Sequence, residues 1–150
     1  MCYNAIKQIS SKHIKGVVTM IQKMGAQTVE TIAGKKYIKS GAVGATTLDE
    51  IKWLTKTLSS ASAAWKLSGW GYISDISKMS PVTPDISAEL VNLHKALEAS
   101  NCKAMAFVVG SSIFTDAQAK NHQKQSQAGI QEGHFKTEAE AIAWLDTIIK

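Results

Sequence analysis

The sequence predicts an α/β fold in one domain, a mixed sheet of about five strands packed with about four helices. Three observations carry this expectation. After an opening pair of short alternating runs, strand-like and helix-like patterns take turns to the end of the chain, as right-handed crossovers and a largely parallel sheet require. Threonines with a Glu or Gln three positions on mark helix starts. The apolar run at residues 104–110, "AMAFVVG", reads as a central strand covered on both faces. A chain of 150 residues with 45% apolar content can bury about 68–70% of the surface its unfolded form exposes, so one core suffices.

The elements follow in order. Residues 28–32 ("TVETI") alternate, and "AGKK" joins them to "YIKSGAV", which makes a hairpin. Leu48, Ile51, Leu54, Leu58 and Ala61 recur at three and four behind the capping box of Thr47 and Glu50, predicting a helix over 48–64. "GWGYISDIS" is the next strand, fenced by Gly69 and Gly71. Thr83 as N-cap and Pro84 at the first helical position, where a missing N–H is harmless, open a helix whose face is Ile86, Leu90, Leu93 and Leu97. After "AMAFVVG", Thr115 and Gln118 start a helix over 116–128 that carries alanines but no large apolar side chain, so its hold on the core is weak. "IQEGHF" is a short strand. Thr137 with Glu140 then opens a last helix, with Ala141, Ile142, Leu145, Ile148 and Ile149 on its apolar face.

The charge divides unevenly. Residues 1–24 hold Lys7, Lys12, Lys15 and Lys23 with no acid, whereas residues 25–150 hold 13 lysines against 12 acids. All 17 basic residues are lysine, so the planar fork that reads guanine edges is missing and specific nucleic-acid binding is not expected. Residues 1–24 show neither a capped helix nor an alternating strand. They are expected to form a basic extension, disordered or weakly ordered, ahead of a single domain at 25–150. Methionines at 20 and 24 leave open a natural start there. Alternatively, Ile6, Ile9, Val17 and Ile21 line a basic amphipathic helix lying on a membrane. No apolar run in this stretch is long enough to span a bilayer. Cys2 and Cys102 are too few for a disulfide framework, which fits a reducing compartment, the cytoplasm by default.

The "ISDIS" strand end before a helix, the strand "AMAFVVG" and above all the closing "GHFKTEAEAIAWL", where Phe135 precedes a helix carrying Ala141, Trp144 and Leu145, resemble SpoIIAA-like proteins of the STAS superfamily. The resemblance covers residues 28–150. It implies a small α/β sandwich in which helices pack on a mixed sheet, and a regulatory, protein-binding role. The better-known STAS branch contains anti-sigma-factor antagonists switched by phosphorylation of a serine at a helix start, and hydrophobic-ligand binding is suspected in some SpoIIAA-like relatives. The antagonist motif resembles D-x-S followed by D-S-S-G. Asp75 and Ser77 match the first part; "SPVTPDIS" at 80–87 lacks the second and places Asp85 in the first helical turn, where it would repel a phosphate on Thr83 or Ser87.

Asp75, Ser77, Ser80, Thr83, Ser111 and Ser112 are therefore the candidate switch or partner loop. The bland alternative is that Asp75 and Ser77 close a strand by local hydrogen bonds while Thr83 caps a helix. Trp53, on the polar side of the first helix, and His122, on the weakly attached one, are the candidate partner surface. Ser111 and Ser112 lack a G-x-S-x-G context, and no histidines are paired at metal spacing, so no catalytic residue, cofactor or metal is expected. The expected function is a non-catalytic regulatory module binding an unidentified protein, with homodimerisation open. The alternative is a carrier of a small apolar, lipid-like ligand, held in a cavity lined by Trp65, Trp70 and Phe114.

Overall fold

The alternating and helical periods of the sequence become strands and helices in the expected order. The computed structural model describes residues 8–14, 17–111, 117, 118, 120, 121, 124 and 129–150. Among the described residues, one sheet holds seven strands in sequence order: β1 Gln8–Ile14, β2 Val17–Met24, β3 Gln27–Thr31, β4 Tyr37–Gly44, β5 Trp70–Met79, β6 Cys102–Val108 and β7 Gln131–Phe135. β1 to β4 form an antiparallel meander, and β4 to β7 run parallel. The helices are α1 Leu48–Ala61, α2 Pro84–Ala99 and α3 Glu138–Asp146. The carboxyl ends of β4 to β7 consequently share one edge of the sheet, and their amino ends share the other.

The α/β class and mixed sheet are as expected, and the counts fit roughly. Five strands lie where the sequence places them, and β1 and β2 add two more. Residues 1–24 were expected to hold no strand; instead a hairpin there continues the sheet beyond β3, pairing Met24 with Gln27 and Ile21 with Glu30. Backbone hydrogen bonds to an open sheet edge need no alternating side chains, so the pattern stayed silent. α1 stops at Ala61 and passes into a single tight turn, Ala63–Trp65, instead of continuing to residue 64. Ala117, Gln118, Lys120, Asn121 and Lys124 are helical, and the rest of the helix expected at 116–128 lies outside the described residues.

α1 and α2 cover one face of the sheet. Ile51, Leu54 and Leu58 of α1 and Leu93 and Leu97 of α2 pack on Ile38, Trp70, Tyr72 and Met105. α3 covers part of the other face, setting Ala141 and Leu145 on Tyr37, Ile73, Ala104 and Ala106. This accounts for "AMAFVVG": β6 is buried from both sides. Trp70 is fully buried, and its indole N–H donates to the Ser100 carbonyl at 2.9 Å.

Two carboxylates tie the elements together. Glu50, 6% exposed, accepts from the Thr47 amide at 3.4 Å to complete the capping box, and from the Ala26 amide at 3.0 Å in the β2–β3 turn. That turn is closed by Gly25 at φ +57°, where a Cβ would sit 2.6 Å from the Glu50 carboxyl carbon. At the far end of α3, Asp146 accepts from Lys35 Nζ at 2.7 Å and Tyr37 Oη at 2.6 Å. The bond from Lys35, then that from Tyr37, holds the Asp146 carboxyl below its usual range. Burial first, and Asp146 second, push the Tyr37 hydroxyl up.

Candidate functional site

β5 delivers Asp75 and Ser77 to the carboxyl edge on the same side of the strand. Asp75 Oδ1 accepts from the Ser77 hydroxyl at 2.6 Å and from the Ser77 amide at 3.1 Å, a local clasp that orders the strand end. β6 leaves the sheet beside it through Gly110, at φ +60°, where an added Cβ would stand 3.3 Å from Ser77 Cβ. The close approach of these two chain segments leaves Ser111 exposed at the same edge. Residues 80–83 then turn toward α2, anchored by the Ser80 amide donating to the Gly44 carbonyl at 2.9 Å, which ties the loop to the end of β4.

Thr83 occupies the N-cap position of α2, but its side chain makes no capping bond. Its hydroxyl donates instead to the Asp85 carboxylate. That bond, followed by the Ile86 amide, holds the fully exposed Asp85 carboxyl below its ordinary value. The helix start thus already carries a negative charge close to the hydroxyl. Asp75, Ser77, Ser80, Thr83 and Ser111 come together at one edge, as the parallel order of β5 and β6 requires. Ser112 and His122 lie outside the described residues, as does Phe114. Trp53 is half-buried and packed against the α1/α2 core, and its buried indole N–H has no hydrogen-bond partner. Trp53 thus stands at the flank of the core, half-buried on α1.

Beneath this edge, between the sheet and α1/α2, lies a cavity of about 40 Å³ lined by Ser40, Tyr72, Ser74, Leu93, His94 and Gln118 among others. In its wall Ser40 and Tyr72 share a hydrogen bond, and Gln27 Nε2 donates to Thr46 Oγ1 at 3.0 Å. Burial pushes the Tyr72 hydroxyl up to about 12 despite bonds to Ser40 and Ser74. His94 is buried at 2% exposure with its ring edge-on to Phe107.

Sequence reasoning missed a second histidine. His134 of β7 stacks on Phe107 at 5.0 Å between ring centres and bonds through Nε2 to Glu132. The i, i+2 spacing that puts both on one face of a strand was the available signal. His134 and Ser111 line the same shallow groove, yet no hydrogen bond joins them, so the nucleophile–base contact needed for acyl transfer is not formed among the described residues. Nor do the described residues hold a cluster of three or more His, Cys, Asp or Glu side chains placed to bind a metal. No described helix is long and apolar enough to cross a membrane.

No family model and no curated protein matches the chain. Among solved structures, an uncharacterised protein of the DUF3478 family with a SpoIIAA-like fold, from Shewanella loihica PV-4, is similar over 85% of this chain and 93% of its own, with TM-score 0.62 and 19% identity. The anti-sigma factor antagonist SpoIIAA, in its unphosphorylated form, is similar over 82% of this chain and 100% of its own, with TM-score 0.57 and 16% identity. These likenesses establish the fold: the chain has a SpoIIAA-like α/β fold.

Proposed function

We propose that this chain is a non-catalytic regulatory module that binds a protein partner at the carboxyl edge of its parallel strands. The observation that carries the reading is the contrast between a filled interior and an exposed, well-anchored edge. A site for a drug-sized ligand needs roughly 300–1,000 Å³, and the cavity between sheet and helices offers about 40 Å³. Of the lining expected for the carrier alternative, Trp70 is 0% exposed and hydrogen-bonded within the core. The edge, by contrast, presents Thr83 and Ser111 to solvent on loops fixed by Asp75, Gly44 and Gly110. SpoIIAA is an anti-sigma factor antagonist, so at least one protein of this fold acts on a protein regulator. A cytoplasmic setting agrees with the two cysteines, neither needed for a disulfide.

Photo-crosslinkers placed one at a time at Pro81, Ser111 and Ala33 in the full chain test the reading. The same discrete protein adduct should form from Pro81 and Ser111 and not from Ala33, at the opposite edge. A small molecule retained by the purified protein in native mass spectrometry, with no edge-specific adduct, would favour the carrier and defeat the proposal.

A further inference from the structure

The amino edge of the parallel strands carries its own surface. The turn that follows α1 projects Leu67, 100% exposed, next to the half-buried Trp65. Ile148 and Ile149, both half-buried in the chain segment after α3, line grooves with Trp65 and Ser68 of this turn. One groove runs from Trp65 past Lys35 and Lys36 to Ile149 and Lys150, and a second runs from Ser68 past Lys103 to Ile148, Ile149 and Lys150. The pieces are physically joined. The Asn101 side-chain Nδ2 donates to the Lys66 carbonyl at 2.7 Å, the Gly71 backbone amide to the Lys36 carbonyl at 3.0 Å, and the Lys103 side chain lies 2.7 Å from where a Cβ on Gly69 would sit.

Lys35, Lys36, Lys66, Lys103 and Lys150 thus surround an apolar point. The acids at this edge are Asp146, already bonded to Lys35 and Tyr37, and Glu98, which lies against Gly129. Lys36, Lys66, Lys103 and Lys150 have no ion-pair partner among the described residues. A protein interface is depleted of lysine at its core, and a chain without arginine has no guanidinium forks to offer a nucleic acid. Lysines around a projecting leucine and a tryptophan instead match an anionic lipid surface: ammonium groups attract the headgroups while Leu67 and Trp65 enter the interface. We propose that this edge docks on membranes rich in anionic lipid. It lies opposite the loops assigned to the protein partner, so both could be engaged at once.

Flotation with vesicles of phosphatidylcholine alone and of phosphatidylcholine with phosphatidylglycerol tests it. The full chain should float with the anionic vesicles only and be released as salt rises from about 0.1 M to about 0.5 M. K66E/K103E should weaken partitioning by about tenfold or more, whereas the charge-matched K52E/K56E on the exposed face of α1 should leave most of it. L67E should also weaken it by about tenfold without disturbing the fold, because that side chain touches nothing it would leave behind. Trp65→Phe should abolish the blue shift of tryptophan emission on vesicle addition. Failure to float with anionic vesicles, equal binding to neutral ones, or equal loss in K52E/K56E would each overturn the proposal. So would binding that survives both L67E and K66E/K103E, since it would then belong to the lysines of residues 1–24.

Discussion

Glu50 is where a single side chain does most to hold separate elements together. Removing its carboxylate strands the Ala26 amide and the Thr47 cap at once, so Glu50→Ala should cost about 2 kcal/mol in urea unfolding, and Glu50→Gln less. The T-x-x-E spacing announced the cap, but the bond to Ala26 spans 24 residues and no local pattern carries it. Tyr72 and Cys102 govern the alkaline limit. Burial holds both neutral forms in the native protein, to about 12 in each case, whereas in the unfolded chain they ionise near ~10 and ~8.5. Raised native values mean the stabilisation is complete below the unfolded ones and is lost as pH climbs from about 9 toward about 12. The urea midpoint should therefore be level through neutral pH and fall across that window, with Tyr72→Phe flattening the upper part. A midpoint that fails to fall there would show these groups are not protected from ionising.

Among the elements, α1 and α2 begin with similar sequence signals and different physics. Thr47 accepts from the Glu50 amide at 3.2 Å, so Thr47→Ala should cost about 1 kcal/mol. Thr83 makes no such bond, and α2 begins because Pro84 is preset for a first turn, so Thr83→Ala should change stability by less than ~0.5 kcal/mol. Equal costs in denaturant titrations would mean the two starts work alike. Helix periods and strand alternation were legible because each buries a face on the core. The β1–β2 hairpin was not, because it is added through its backbone. Its described side chains, Ile21 to Met24, are at most half-buried, and none of them belongs to the core cluster that holds Val29 and Ile38. We therefore propose residues 25–150 as the folding unit: removing residues 1–23 should cost less than ~2 kcal/mol in thermal unfolding, while the freed β3 edge should increase self-association seen by light scattering. A larger loss would make the hairpin part of the domain.

Across the whole molecule, function follows from sheet order. Because β4 to β7 run parallel, loops far apart in sequence, at Asp75 to Thr83 and at Gly110 and Ser111, are gathered at one edge, and the lysines of the turns are gathered at the other. The first gathering was readable from the alternation of strands and helices; the second was not, because Lys35, Lys66, Lys103 and Lys150 share no motif and meet only when the strands align. The measurement that bears most directly on the account is hydrogen exchange on the purified chain before and after it forms the complex isolated by crosslinking. Protection should concentrate at residues 75–83 and 109–111. Protection confined to residues 32–36 and 66–69, with the carboxyl edge unchanged, would contradict the assignment of partner binding to that edge.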